Sequence, residues 1–209
     1  HPGRLASPSG YRANLGALSP LASGGDVIVS DELNHASMID GCRLSRARIV
    51  VTPHLDTGAV ERALKDAPEA RRWVVTESYF SMDGDAPDLR ALRAVCDQQG
   101  AALVVDEAHA LGVFGPQGGG RLREANLRAD VTIGTLGKAV GVQGAFVAGS
   151  EELRAYLWNR ARSFVFSTGV SPLLAALTLA HVERARLDDP GRATLLAHVE
   201  HLRHRLAAV

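Results

Sequence analysis

The sequence predicts an α/β fold built on a mostly parallel sheet with helices covering both faces. Three observations lead there: short strand-like runs alternate with helix-like segments, the runs are apolar throughout, and helix start and stop signals fall between them. A strand buried on both faces needs continuous apolar character, which is the pattern of parallel sheets enclosed by helices.

The elements follow in order. "SGYRANLGAL" (9–18) is a Ser-Gly turn opening into a helical run, and "DVIVS" (26–30) is the first strand-like run. "HASMIDGCRLS" (35–45) is a helix with Asn34 as its expected cap, and "ARIVV" (47–51) a strand. "DTGAVERALKD" (56–66) opens on Asp56, a side chain able to accept an exposed helix N–H. "RWVVTES" (72–78) is a strand; "APDLRALRAVCDQQG" (86–100) sets Leu89, Leu92, Val95 and Cys96 at helical spacing and stops at Gly100. "AALVVD" (101–106), "DVTIGT" (130–135), "GAFVAG" (144–149) and "SFVFS" (163–167) complete the expected strands. Between the last two, "SEELRAYLWNRAR" (150–162) has a Ser150 cap and two acids in its first turn, and 171–208 reads as helix interrupted at Pro190 and Gly191. "GPQGGGR" (115–121) is expected to be a flexible loop.

Composition narrows the function. The 209 residues are 46% hydrophobic and 22% charged, enough for a substantial core. Basic and acidic side chains balance at 23 each, so no net field attracts nucleic acid or an anionic membrane. Cys42 and Cys96 are the only cysteines, which argues against a disulfide framework and a zinc site and assigns both to packing. No apolar run is long enough to span a bilayer, and the expected location is cytoplasmic. His198, His201 and His204 step round a helix in threes and cannot converge on one ion, so no metal is expected. The chain opens at His1 and stops inside a helical pattern at Val209, which gives the expectation of a piece of something longer.

Only two of the 23 basic side chains are lysines. Lys65 fits a solvated helix end, whereas Lys138 stands among glycines after an apolar run, in "TIGTLGKAVG". Arginine cannot shed its proton in a protein, while lysine can become a neutral nucleophile. A lysine retained there points to amine chemistry.

"ALVVDEAHALGVFG" (101–114) drives an apolar strand into Asp106, Glu107 and His109. Burying a carboxylate is costly without a partner. One candidate partner is a magnesium-bound nucleotide, since Val-Asp-Glu-Ala-His matches the acidic motif of DEAH-type ATPases. That chemistry needs a G-x-x-x-x-G-K-[ST] loop upstream. Lys65 has none, and Gly137-Lys138 has Thr132 in place of the first glycine and Ala139 in place of the hydroxyl. The other candidate is the protonated ring nitrogen of pyridoxal 5'-phosphate. That cofactor needs an amine for its aldehyde and a carboxylate for its ring nitrogen, and its phosphate suits a helix N-terminus. Lys138, Asp106 and the turn at Ser9-Gly10 supply this set.

The motifs "SGYRANL", "DELNHASMIDGCRLS", "VVTESYFSMDGDAPDL", "VVDEAHALGVFG", "GTLGKAVGVQGAFV" and "FVFSTGVSP" occur in one order. In that order and spacing the chain resembles the α-oxoamine synthases, fold-type I pyridoxal phosphate enzymes that join an amino acid to an acyl thioester with loss of carbon dioxide. "CRLSRARIVVTPH", "ESYFSMDGD" and "STGVSP" are most similar to the branch that serves biotin biosynthesis, which condenses L-alanine with a pimeloyl group carried on coenzyme A or a carrier protein. A branch using glycine and acetyl-coenzyme A shares "LNHAS" and "FSMDG" and is the alternative.

The resemblance implies roles residue by residue. Lys138 holds the cofactor aldehyde and moves protons; Asp106 pairs with the ring nitrogen; His109 contacts the phenolic oxygen; His35 stacks on the ring. Gly10, Tyr11, Ser81 and Thr135 belong to the cofactor pocket, and Ser167 and Thr168 resemble a pair reaching the phosphate from a neighbouring subunit, which implies a homodimer. Glu77 is implied to support them from behind. Ala110 replaces the family's usual glycine, where a methyl is expected to crowd the substrate side, and "HPGRLA" departs from the family's usual approach to the phosphate turn. Residues 1–209 are expected to form one cofactor-binding large domain, without the family's N-terminal arm and C-terminal small domain. A fragment that binds cofactor without turnover is the rival reading.

Overall fold

Helices begin where a short polar side chain can accept an otherwise unpaired backbone N–H. Ser9, Asp56, Asp88, Ser150 and Ser171 each do so, opening α1 (Gly10–Leu21), α3 (Thr57–Lys65), α4 (Leu89–Gln99), α6 (Glu151–Arg160) and α8 (Pro172–Leu187). Gly100 closes α4 in the left-handed region at φ 62°, which costs glycine little. The remaining helices are α2 (Ala36–Ser45), α5 (Gly120–Glu124), α7 (Arg162–Val165) and α9 (Asp189–Leu206). The chain is seen here as a computed structural model that describes residues 1–68 and 70–207.

Strands β1 (Gly3–Ser7), β2 (Val27–Asp31), β3 (Arg48–Thr52), β4 (Arg72–Glu77), β5 (Ala102–Asp106), β6 (Val131–Thr135) and β7 (Ala145–Gly149) form one sheet in the order β1-β7-β6-β5-β4-β2-β3. Pairing is parallel from β3 through β6, and β7 runs antiparallel to both of its neighbours. Side chains of one strand alternate between faces. Ile28, Val75 and Val104 face a core shared with α1, α2 and α6, while Val27, Val29, Val74, Leu103 and Val105 face α3, α4 and α5. Both faces are thus buried, which explains the unbroken apolar runs; each such side chain contributes about 1.5–3 kcal/mol of burial free energy.

From β2 the chain moves outward to β3 and then returns to β4 on β2's other side. Such a reversal leaves a crevice beyond the carboxyl ends of the strands, where ligands bind in open α/β sheets.

Three expectations are corrected, and one strand is added. Residues 163–167 are not a strand: α7 covers Arg162–Val165, and only Phe164 of the apolar trio packs on the core while Val165 and Phe166 are exposed. The α2 cap is His35, whose ring accepts from Ser37 N–H, because Asn34 is buried and donates to Ser30 Oγ and the Val75 carbonyl. "GPQGGGR" is an ordered 3-10 turn at Pro116–Gly118 leading into α5. β1 was not expected as a strand, since "GRLAS" alternates buried and exposed residues and takes its form from pairing with β7.

Candidate active site

The carboxyl ends of β4, β5 and β6 bring the charged residues together. Asp106, the last residue of β5, is buried; its Oδ1 accepts from Ala108 N–H at 2.8 Å and its Oδ2 from Asn14 Nδ2 at 2.7 Å. Burial raises its pKa above the usual carboxylate value, and those two donors, Asn14 foremost, oppose the rise. Glu77 pushes in the same direction as burial, while Lys138 favours the charge.

Lys138 lies exposed in the loop after β6, yet loss of water around its ammonium lowers its pKa, against the pull of Asp106 and Glu77. Asp106 and Lys138 therefore sense each other across the sheet end. A depressed lysine offers more neutral amine at working pH.

Glu77 ends β4, buried, and holds two other residues. Its Oε1 accepts from the His35 backbone N–H at 2.9 Å, spanning the β2–β4 crevice, and its Oε2 meets His109 Nδ1 at 3.1 Å. The ring of His35 is held separately, Nδ1 to Ser37 Oγ at 2.8 Å, and its remaining surface is exposed. His35, Glu77, Asp106, His109 and Lys138 thus form one cluster.

Gly10 starts α1 beside Thr135. A Cβ there would lie 3.4 Å from Thr135 Cβ and 3.5 Å from its Oγ1, which in turn accepts from Gly137 N–H. The N-terminus of α1, a setting that suits phosphate, here meets Thr135, whose hydroxyl donates to the Gly144 carbonyl. Tyr11 is exposed and its hydroxyl donates to Asp40. Ser167 stands next to Arg12 of α1, which donates to its hydroxyl, and Thr168 is exposed alongside. Ser81 is exposed in the turn after β4, away from the carboxylate cluster's hydrogen bonds.

Glu107 has a different part. It is buried, with Oε2 accepting from Ser78 Oγ at 3.0 Å and Arg121 N–H at 2.9 Å, and Oε1 from Leu122 N–H at 2.7 Å. Both its oxygens are engaged by Ser78 and the start of α5, which gives Glu107 a structural part and not that of an ATPase's metal ligand. Gly120, at φ 88°, touches it so closely that a Cβ would strike the carboxylate. Ala110 is fully buried, so its methyl packs inside the protein and does not line an open cleft, contrary to the crowding expected.

Sequence reasoning missed Asn14 and Ser37. Asn14 is a buried amide on the apolar face of α1, beside Ala13 and Ala17, and that misfit was the available signal. Cys42 and Cys96 are buried, which pushes both thiols to about 12 and suits packing. His198, His201 and His204 are exposed on α9, no metal-holding cluster occurs among the described residues, and none of their helices is long and apolar enough to cross a membrane.

The model of the family "Aminotransferase class I and II" matches residues 2–209. An 8-amino-7-oxononanoate synthase of Mycolicibacterium smegmatis is 53% identical over 193 residues, 90% of this chain and 50% of that protein. One from Marinobacter nauticus is 48% identical over 198 residues, 93% of this chain and 50% of its own length. The chain spans about half the length of the curated relatives it matches. Serine palmitoyltransferase from S. paucimobilis, solved with bound PLP and myriocin, superposes with a TM-score of 0.94 at 31% identity, over 99% of this chain and 54% of that one. The 8-amino-7-oxononanoate synthase of Francisella tularensis gives 0.88 at 29% identity, over 100% of this chain and 61% of its own.

Proposed function

The chain belongs to the aminotransferase class I and II family, and from that premise we propose that residues 1–209 are the pyridoxal phosphate-binding domain of an α-oxoamine synthase. The reaction is condensation of L-alanine with a pimeloyl thioester and loss of carbon dioxide, giving 8-amino-7-oxononanoate. The observation that carries this reading is a buried carboxylate and a pKa-depressed lysine at the ends of adjacent strands, each sensing the other's charge.

The residues present fit the cofactor. The space beside Gly10 that a Cβ would fill faces a helix N-terminus and Thr135, which suits a phosphate, and Asp106 suits a protonated ring nitrogen. When bound, pyridoxal phosphate supplies an aldehyde that captures amines and a ring that accepts electrons. Lys138 holds the aldehyde through Nζ and afterwards moves a proton at the amino acid's α-carbon. Asp106 keeps a proton on the ring nitrogen, and Asn14 keeps Asp106 charged and aimed. His35 would pack against the cofactor's ring, and His109, fixed by Glu77, would meet its phenolic oxygen. Thr135 and the α1 N-terminus at Gly10 would hold the phosphate end, with Tyr11 in the cofactor pocket and Ser81 near it. Ser167 and Thr168 serve a second copy's phosphate in a homodimer. Alanine and the thioester, on coenzyme A or a carrier protein, are the partners, and the setting is cytoplasmic.

The test is optical. Adding pyridoxal phosphate is expected to produce a visible absorption band that borohydride removes while leaving the cofactor covalently on Lys138. No band from the wild type, or an unchanged band from Lys138→Ala, overturns the reading. Spectral change on adding alanine with a pimeloyl thioester supports the substrate pair; a response confined to glycine with acetyl-coenzyme A assigns the other branch.

A further inference from the structure

Asn14 is the hinge between two residues that do not touch. Its Nδ2 donates to Asp106 Oδ2 at 2.7 Å and to Ser37 Oγ at 3.0 Å, and its Oδ1 is buried without a partner. The opposite amide orientation would aim a carbonyl oxygen at a carboxylate, so the charge on Asp106 sets the orientation. Ser37 Oγ, fully buried, accepts that amide proton and retains its own hydroxyl proton. Its remaining neighbour is His35 Nδ1 at 2.8 Å, and Ser37 N–H also donates to Nδ1 at 3.2 Å. An N–H can only donate, so Nδ1 must accept and the ring proton sits on Nε2.

Resting on the reading above, we infer that Asn14 and Ser37 are positioning residues forming a relay through which the ionised Asp106 aims the Ser37 hydroxyl proton at His35 Nδ1, a second donor beside the Ser37 N–H that already requires the Nε2–H tautomer. Two protein groups assigned to opposite parts of the cofactor ring, its nitrogen and its face, are thereby set by one hydrogen-bonded unit. The His35 backbone is anchored independently by Glu77, so the relay governs the ring's tilt while Glu77 governs where the ring stands.

The experiment reads the His35 ring nitrogens of the full chain by 15N NMR without cofactor, the resonances being identified by their loss in His35→Asn. In the wild type Nδ1 is expected at the unprotonated position and Nε2 at the protonated one. In Ser37→Ala, and also in Asp106→Asn, the Nδ1 signal is expected to move downfield as it loses the hydroxyl donor, while Nε2 stays at the protonated position because the backbone N–H of residue 37 still donates to Nδ1. Ser37→Thr restores the wild-type pattern. Ser37→Cys, which keeps the volume and weakens the donor, serves if Ser37→Ala does not fold. An unmoved Nδ1 signal in Asp106→Asn, or in the Ser37 variant that folds, overturns the relay. The absorption test judges the cofactor reading separately, because these spectra are taken without cofactor.

Discussion

His54 ties together the ends of three strands, and its charge should be visible in stability. Its Nδ1 meets Asp31 Oδ1 at 2.8 Å, its Nε2 lies 3.2 Å from both oxygens of Asp85, its backbone N–H donates to Glu32 Oε1, and its ring sits edge-on to Phe80 at 4.5 Å. Burial works against the ring's charge, but Asp31 and then Asp85 outweigh it and raise the pKa above 6.5. Only the protonated ring has two N–H donors, so deprotonation must release one carboxylate. A hydrogen bond to a charged group contributes about 1.5–3 kcal/mol when buried, and an exposed ion pair at most about 1 kcal/mol. Asp85 is 38% exposed against 9% for Asp31, so Asp85 is the bond released and about 1 kcal/mol is the expected loss. That equals roughly 2–4 °C in Tm for a domain of this size. The sign follows from linkage: with the folded pKa raised, the stabilisation is complete below pH 6.5 and fades as pH rises through the folded value. The assay compares thermal unfolding of wild type and His54→Gln from pH 6 to 9, with amide exchange of Phe80 and Gly84, whose N–H groups close the turn that bears Ser81. The margin of wild type over His54→Gln is expected to shrink by about 1 kcal/mol from low to high pH, with faster exchange in the turn. A stability difference that stays flat, or grows with pH, refutes the reasoning.

Two further outcomes follow from the site's neighbours. Glu107→Gln presents an amide N–H₂ to donors that now find oxygen; a loss of about 2–4 kcal/mol in urea unfolding is expected, and a change below about 0.5 kcal/mol would sink the structural role given to Glu107. Lys138, its pKa lowered by desolvation, is expected to be acetylated before Lys65, which is paired with Glu61, in peptide mapping after limited reagent at neutral pH; the reverse order contradicts a depressed amine.

How much was legible depended on the distance over which each feature is decided. The caps at Asp56 and Ser150 accept from residues three positions on, and Gly100 needs only its own φ, so adjacent residues suffice to announce them. Six of the seven strands were legible as apolar runs, stamped by burial on both faces inside the sheet and present even in the edge strand β3, where Val51 is exposed. Lys138 stood out by chemistry, as an amine in a chain that otherwise prefers guanidinium. The family motifs brought His35, Asp106, His109 and Glu77 to notice, but not what holds them. Residues 163–167 offered the same aromatic and β-branched side chains to a strand or a helix, and packing of Phe164 decided for α7. β1 is written by β7, whose Ala145 pairs with Ser7 from 138 positions away. The hydrogen bonds from Asn14 to Asp106, from Ser78 to Glu107 and from His54 to Asp31 join residues 92, 29 and 23 positions apart. Short-range sterics and hydrophobic periodicity are properties of the chain itself, so the sequence alone determined six of the strands and most helix starts, and it singled out Lys138 and Asp106 by residue type. Which buried polar groups satisfy one another depends on the closed sheet bringing strand ends together, and only the tertiary structure decided that.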